Sequence, residues 1–170
     1  MRICCLVVVS LLVCAARPSA NNSDWPGVFF PNQVTRFSMH WALAGASVWL
    51  QKPECRGVFA EFSDQDGVPL DQKLARLSVD EVAYLRTVLF RDGSRMAPCQ
   101  RPATVMFTTP GSKVVFVCER QFQTQINNDR VVVNALLIHE VLHTLGLGEN
   151  PPTSAEITAH VLRHCGHTRP

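Results

Sequence analysis

The run His139-Glu140-Val141-Leu142-His143 has the residue types and spacing for metal-assisted hydrolysis. Histidines four apart on a helix project from one face, one turn apart, so both imidazoles can reach a single ion. Glu140, rotated by about 100°, lies beside the open side of such an ion, where its carboxylate can take a proton from an attacking water. The surrounding Val131, Val132, Ala135, Leu136, Ile138, Val141, Leu142 and Leu145 make this helix apolar and therefore buried. Buried His139, Glu140 and His143 then need partners, because unpaired polar groups in an apolar interior are costly. A metal ion is one such partner; mere packing of two histidines is the alternative. From the chain's own composition, chance alone produces His-Glu-x-x-His in roughly one such sequence in a hundred.

The stretch HEVLHTLGLGE resembles the zincin metallopeptidases, and in particular the metzincin pattern H-E-x-x-H-x-x-G-x-x-H. His139, Glu140, His143 and Gly146 match it position by position. Glu149 stands where that pattern has its third His, and no Met follows Met106 to supply a Met-turn, so the likeness is to the broader zincin class. The wider stretch IHEVLHTLGLGENPPTSAEIT also resembles a group of uncharacterised exported bacterial proteins with the same extended motif. The resemblance implies zinc held by His139, His143 and a third ligand, with Glu140 as general base. Glu149 is the first choice for that ligand: Gly146 lets the chain turn back toward the metal, and a carboxylate is an acceptable zinc ligand. Glu156 is an alternative, on the gluzincin plan of a Glu from a following helix, although it also fits the N3 position of a capping box opened by Thr153. His160 is another, but with His164 it forms a second i, i+4 pair of a kind more often found on a solvated face. Tyr84, the sole tyrosine, reads as a core residue, and no oxyanion donor stands out.

Compartment follows from the first twenty residues. Met1-Arg2, the apolar run from Ile3 to Ala16 and the small residues up to Ala20 have the order of a secretory signal. Leu11-Leu12-Val13-Cys14 also resembles a lipoprotein signal, but Val13 is bulkier than the usual Gly or Ala, so anchoring at Cys14 is the minority reading. Removing residues 1–20 takes away Arg2, Arg17 and no acid, bringing the formal net charge from +2 to zero. No basic patch for nucleic acid or anionic membrane survives. Cys55, Cys99, Cys118 and Cys165 remain, an even number in an exported chain, which points to two disulfides. Of the three possible pairings, Cys99–Cys118 around a hairpin and Cys55–Cys165 tying back the C-terminus are expected. No Cys-x-x-Cys spacing supports a zinc–thiolate site.

These residues must be held by a scaffold. The expected organisation is a signal peptide at 1–20, an N-terminal arm and apolar segment at 21–50, and a zincin-like domain at 51–170. Phe37–Leu50 is apolar but too short to span a bilayer, and so belongs to the core, with His40 as a packed, hydrogen-bonded residue. Gly57–Phe62 reads as a strand, Asp64–Gly67 as a turn and Leu70–Leu77 as a helix. Ser78-Val79-Asp80-Glu81 resembles a capping box and predicts a helix over Val79–Phe90. Ala103–Thr109 and Lys113–Glu119 flank Pro110-Gly111-Ser112 as a hairpin. Phe122–Asn128 reads as a loop. A long helix capped by Asn127, Asn128 or Asp129 runs to about Leu147, and a final helix opens at Thr153 and stops at Gly166.

The expected fold is therefore α+β: one zincin-like domain with a small mixed sheet, a long active-site helix and a C-terminal helix. The expected function is an exported, monomeric zinc metalloendopeptidase acting on peptide or protein, with the substrate adding as a strand along Lys113–Glu119. A non-catalytic, disulfide-bonded zinc-binding module and a zinc hydrolase of non-peptide amides are the alternatives.

Overall fold

The computed structural model describes residues 25–166, so the expected signal peptide, Cys14 and His167 lie outside it. The first strand, β1 (Val28–Phe29), falls within the stretch expected to be an arm, and its neighbours Trp25 and Phe30 are buried. Helix α1 (Gln33–Leu50) follows, capped by the Asn32 side chain, which accepts from the Val34 N–H at 2.9 Å. It buries Met39, Leu43, Ala46 and Leu50 along one face, the spacing of a core helix. Residues 25–50 thus belong to the same core as the rest.

Helix α2 (Pro53–Glu61) replaces the strand expected at Gly57–Phe62. Pro53 sits in its first turn, where the missing N–H costs nothing, and Cys55, Val58 and Phe59 share its buried face. That i, i+3, i+4 pattern begins upstream of the six residues that looked strand-like. The Asp64–Gly67 turn forms as expected, with Gly67 at φ +79. Helix α3 (Leu70–Leu77) ends at Ser78, whose left-handed conformation (φ 56) makes it a C-cap and not the N-cap the sequence suggested. Asp80 caps the next helix instead, and that helix, α4, covers only Glu81–Leu85. The expected continuation to Phe90 is overturned because Leu89–Asp92 forms β2, paired on both sides inside the sheet. Sheet pairing outweighs the helical start in a segment carrying the β-branched Thr87 and Val88.

A 3-10 turn (Ala97–Gln100) leads to β3 (Met106–Phe107) and β4 (Val114–Val117), the expected hairpin. The sheet is mixed, in the order β1-β2-β4-β3. β1–β2 and β2–β4 are parallel, and β3 is antiparallel to β4 at one edge. Helix α5 (Glu119–Asn128) replaces the loop expected at Phe122–Asn128; its only buried anchors are Phe122 and Ile126, one turn apart. Helix α6 (Arg130–Thr144) is nearly all buried, and α7 (Ser154–Cys165) closes the described chain.

Helix α6 lies at the centre, against α1, α5, α7 and the sheet. Contact with α1 is close at Gly45, where a Cβ would meet the Asn134 amide at 2.7 Å. His40, expected to be hydrogen-bonded, is only half-buried and its Nδ1 has no partner. Both expected disulfides form: Cys99–Cys118 encloses the hairpin, and Cys55–Cys165 fastens α2 to α7. Among the described residues, no helix is long and apolar enough to cross a membrane.

Candidate metal centre

The site is built on the last turn of α6 and the chain's exit from it. Asp129 starts the helix by accepting from the N–H groups of Val131 and Val132. At the other end, Gly146 takes φ +108, the Gly146 N–H donates to the His143 carbonyl, and the Leu147 N–H donates back to Leu142. This is a Schellman ending, which satisfies two carbonyls left over by the helix and reverses the chain. The reversal carries Leu147 and Glu149 back over His143. The Gly111 N–H of the β3–β4 turn also donates to the His143 carbonyl, at 2.8 Å, tying the hairpin to the same turn.

His139 Nε2 and His143 Nε2 face one another at 2.8 Å. The other ring nitrogens decide what that contact is. His143 Nδ1 lies 2.7 Å from the Leu147 carbonyl, which can only accept, so Nδ1 carries the hydrogen. His139 Nδ1 lies 2.8 Å from Thr158 Oγ1, whose own hydrogen goes to the Ser154 carbonyl; His139 Nδ1 therefore donates as well. Both Nε2 atoms are thereby left as bare lone pairs pointing at each other, an arrangement that a cation relieves. Burial, and then the neighbouring His143, pull His139 down to about 3, so the His139 ring stays neutral at neutral pH.

The third corner is a carboxylate. Glu149 Oε1 lies 3.3 Å from His143 Nε2 and 3.7 Å from His139 Nε2. The three separations, 2.8, 3.3 and 3.7 Å, define a circle of radius about 1.9 Å, close to the zinc–nitrogen and zinc–oxygen distances of about 2.0–2.2 Å. His139, His143 and Glu149 thus form a group able to hold a metal ion.

Glu140 lies beside this group and is buried. Burial, and next the charge of Glu149, raise its carboxyl to about 8, against the pull of the Thr108 backbone N–H. Its Oε2 is buried with no hydrogen-bond partner, an open acceptor position within the site. A cavity of about 510 Å³ opens onto His139, Glu140, His143 and Glu149, walled by Met106, Phe107 and Thr108 of the β3 edge. Among the described residues, none between 25 and 50 lines it.

Other expected residues lie elsewhere. Glu156 is the N3 partner of Thr153 in a complete capping box, and its carboxylate bonds both the Thr153 N–H and hydroxyl at 2.8 Å. Those bonds hold it below the usual carboxylate range, and it is not part of the group. His160 sits with His164 and Glu61 in a separate cluster, not as a third ligand here. Tyr84 is buried as expected and raised by that burial; it lines another pocket with Lys113 and Thr144. Strand addition along Lys113–Glu119 is blocked at Phe116–Val117, which pair with both β2 and β3; of the sheet's two edge strands, β1 and β3, it is β3 that lines the cavity. Sequence reasoning missed Thr158, the Leu147 carbonyl and the Thr108 N–H. Only Thr158 left a trace, as a hydroxyl inside the SAEIT run.

Comparison of the chain with protein families, curated proteins and solved structures finds no match.

Proposed function

We propose that the protein is an exported zinc-dependent metallopeptidase. The observation that carries this reading is the pair of bare Nε2 lone pairs on His139 and His143, 2.8 Å apart with the Glu149 carboxylate beside them. Two imidazoles and a carboxylate form a donor set that zinc favours. The open cavity, and a fourth polar residue that is adjacent and free to act as a base, favour catalysis over a closed structural site.

A zinc ion held there would supply Lewis-acid activation of water and of the scissile carbonyl, and its charge would return Glu140 toward its ionised form. Glu140 takes a proton from the attacking water as the water oxygen bonds to the carbonyl carbon. It then delivers that proton to the amide nitrogen as the C–N bond breaks. The Thr108 N–H orients the Glu140 carboxyl. An extended peptide adds to the free edge of β3, with backbone pairing giving affinity and the cavity taking alternate side chains.

The test is elemental analysis of the purified protein together with cleavage of a peptide library. Wild type should hold zinc at the α6 site and cleave. Glu140→Gln should keep the zinc and lose cleavage by at least about a hundredfold, the low end of a general base's contribution. Glu149→Ala should lose the zinc held at that site. Zinc binding that survives in His139→Ala/His143→Ala at undiminished affinity would remove the basis of the reading. Zinc held with no cleavage of any peptide or amide would leave a non-catalytic zinc-binding module.

A further inference from the structure

The second histidine pair of the chain is not simply a solvated helix face. His160 and His164 lie one turn apart on α7, their rings stacked with centroids 4.4 Å apart, and both face Glu61 at the end of α2. His160 Nε2 is 2.8 Å from Glu61 Oε2, and His164 Nδ1 is 4.0 Å from Oε1. The ligand atoms of the three residues lie within 4.8 Å of one another. His160 Nε2 is closed off from solvent, with the Glu61 carboxylate at 2.8 Å as its near neighbour. The ring is also fixed, edge-on against Phe62 with centroids 5.1 Å apart.

We propose that Glu61, His160 and His164 form a second metal site, at the junction of α2 and α7, for a divalent transition-metal ion such as zinc. Two imidazoles and one carboxylate suit zinc, copper or nickel, and disfavour calcium and magnesium, which take oxygen ligands. The site is preorganised. Cys55 at the start of α2 is bonded to Cys165 at the end of α7, so the two helices are already fixed side by side when the ion arrives. The part of the binding energy usually spent on bringing ligands together is small here.

Two features set its strength below that of the α6 site. Glu61 and His164 are partly exposed, with side chains 45% and 36% accessible, so water competes for the ion. Arg163 also places Nη2 3.3 Å from His160 Nδ1. Metal on Nε2 leaves a hydrogen on Nδ1, so Arg163 must turn away into solvent when the ion binds. Glu61 and Glu149 line one cavity of about 710 Å³, which places the second site on the flank of the first.

The proposal stands apart from the peptidase reading, and one experiment separates them. The purified protein is stripped with a chelator and titrated with zinc alone, followed by calorimetry, with cobalt(II) absorption as a second readout. Wild type should show two binding events. His160→Ala/His164→Ala should lose the weaker event and keep the tighter one, whereas His139→Ala/His143→Ala should do the reverse. Loss of an outer-sphere partner alone costs a metal about tenfold or more, so Glu61→Gln, a change at an exposed side chain, should weaken the second event at least that much. Arg163→Ala should tighten it. A single event in wild type, or a weaker event that persists in the His160/His164 double variant or is untouched by Glu61→Gln, would overturn the proposal.

Discussion

Thr158 is the residue whose role is easiest to overlook. It is not itself in the candidate ligand group, but its hydroxyl accepts from His139 Nδ1 and so leaves Nε2 as the nitrogen that faces His143 and Glu149. Thr158→Val, which keeps the shape and removes the acceptor, should weaken zinc binding at the α6 site by about 10–100-fold, measured against a competing chelator. Glu140 carries the pH dependence. In the metal-free protein its folded value of about 8 lies above the ordinary 4.5, so the folded state holds the proton more tightly than the unfolded state does. Its penalty is absent below the ordinary value and grows as pH rises through that window toward 8. Glu140→Gln should therefore raise the melting temperature of the metal-free protein near pH 8 and change it little near pH 4; an equal shift at both pH values would contradict this. His139, Glu140 and His143 were legible from helical spacing, whereas Glu149 stood first among three candidates because of the glycine exit and the likeness to the zincin pattern; the structure brings it to the two histidines. Thr158 and the Leu147 carbonyl were not: a backbone oxygen has no letter, and a threonine on another helix is brought near only by tertiary packing.

Among the elements, the exit turn of α6 decides whether the site closes. Gly146 at φ +108 is in the left-handed region, and a Cβ there would also press on Lys73 Nζ at 3.0 Å and Asp64 Cβ at 3.1 Å. Gly146→Ala should lose about 1–3 kcal/mol of stability in thermal unfolding. It should also loosen zinc, since the same turn sets both the Leu147 carbonyl and Glu149. Elements with a strong local signal were legible: the final helix with its capping box, the hairpin around Pro110-Gly111, and α6 itself. Those that failed had local and long-range preferences in conflict. Leu89–Asp92 continues a helical start, yet it completes a sheet whose partners lie about 60 residues upstream and 25 downstream. No short window could show that, because β-pairing is a non-local choice. α2 and α5 failed for the opposite reason, each having only two or three buried anchors to mark its period.

For the whole molecule, the Cys55–Cys165 disulfide closes a loop across a sequence separation of 110 residues, the longer of the two among the described residues. Cys55→Ser/Cys165→Ser should cost about 2–5 kcal/mol in denaturant unfolding. It should also weaken zinc at the α6 site, because the bond anchors the far end of the helix that carries Thr158. Zinc affinity unchanged in that double variant would show that α7 is held well enough by packing alone. On the metallopeptidase reading, this fastening acts as a safety catch. While the chain is in a reducing cytosol the bond is open, the last helix is loosely held and the His139 ring has an unsteady support. On that same reading the site is least competent before the thiols pair, and their oxidation arms it.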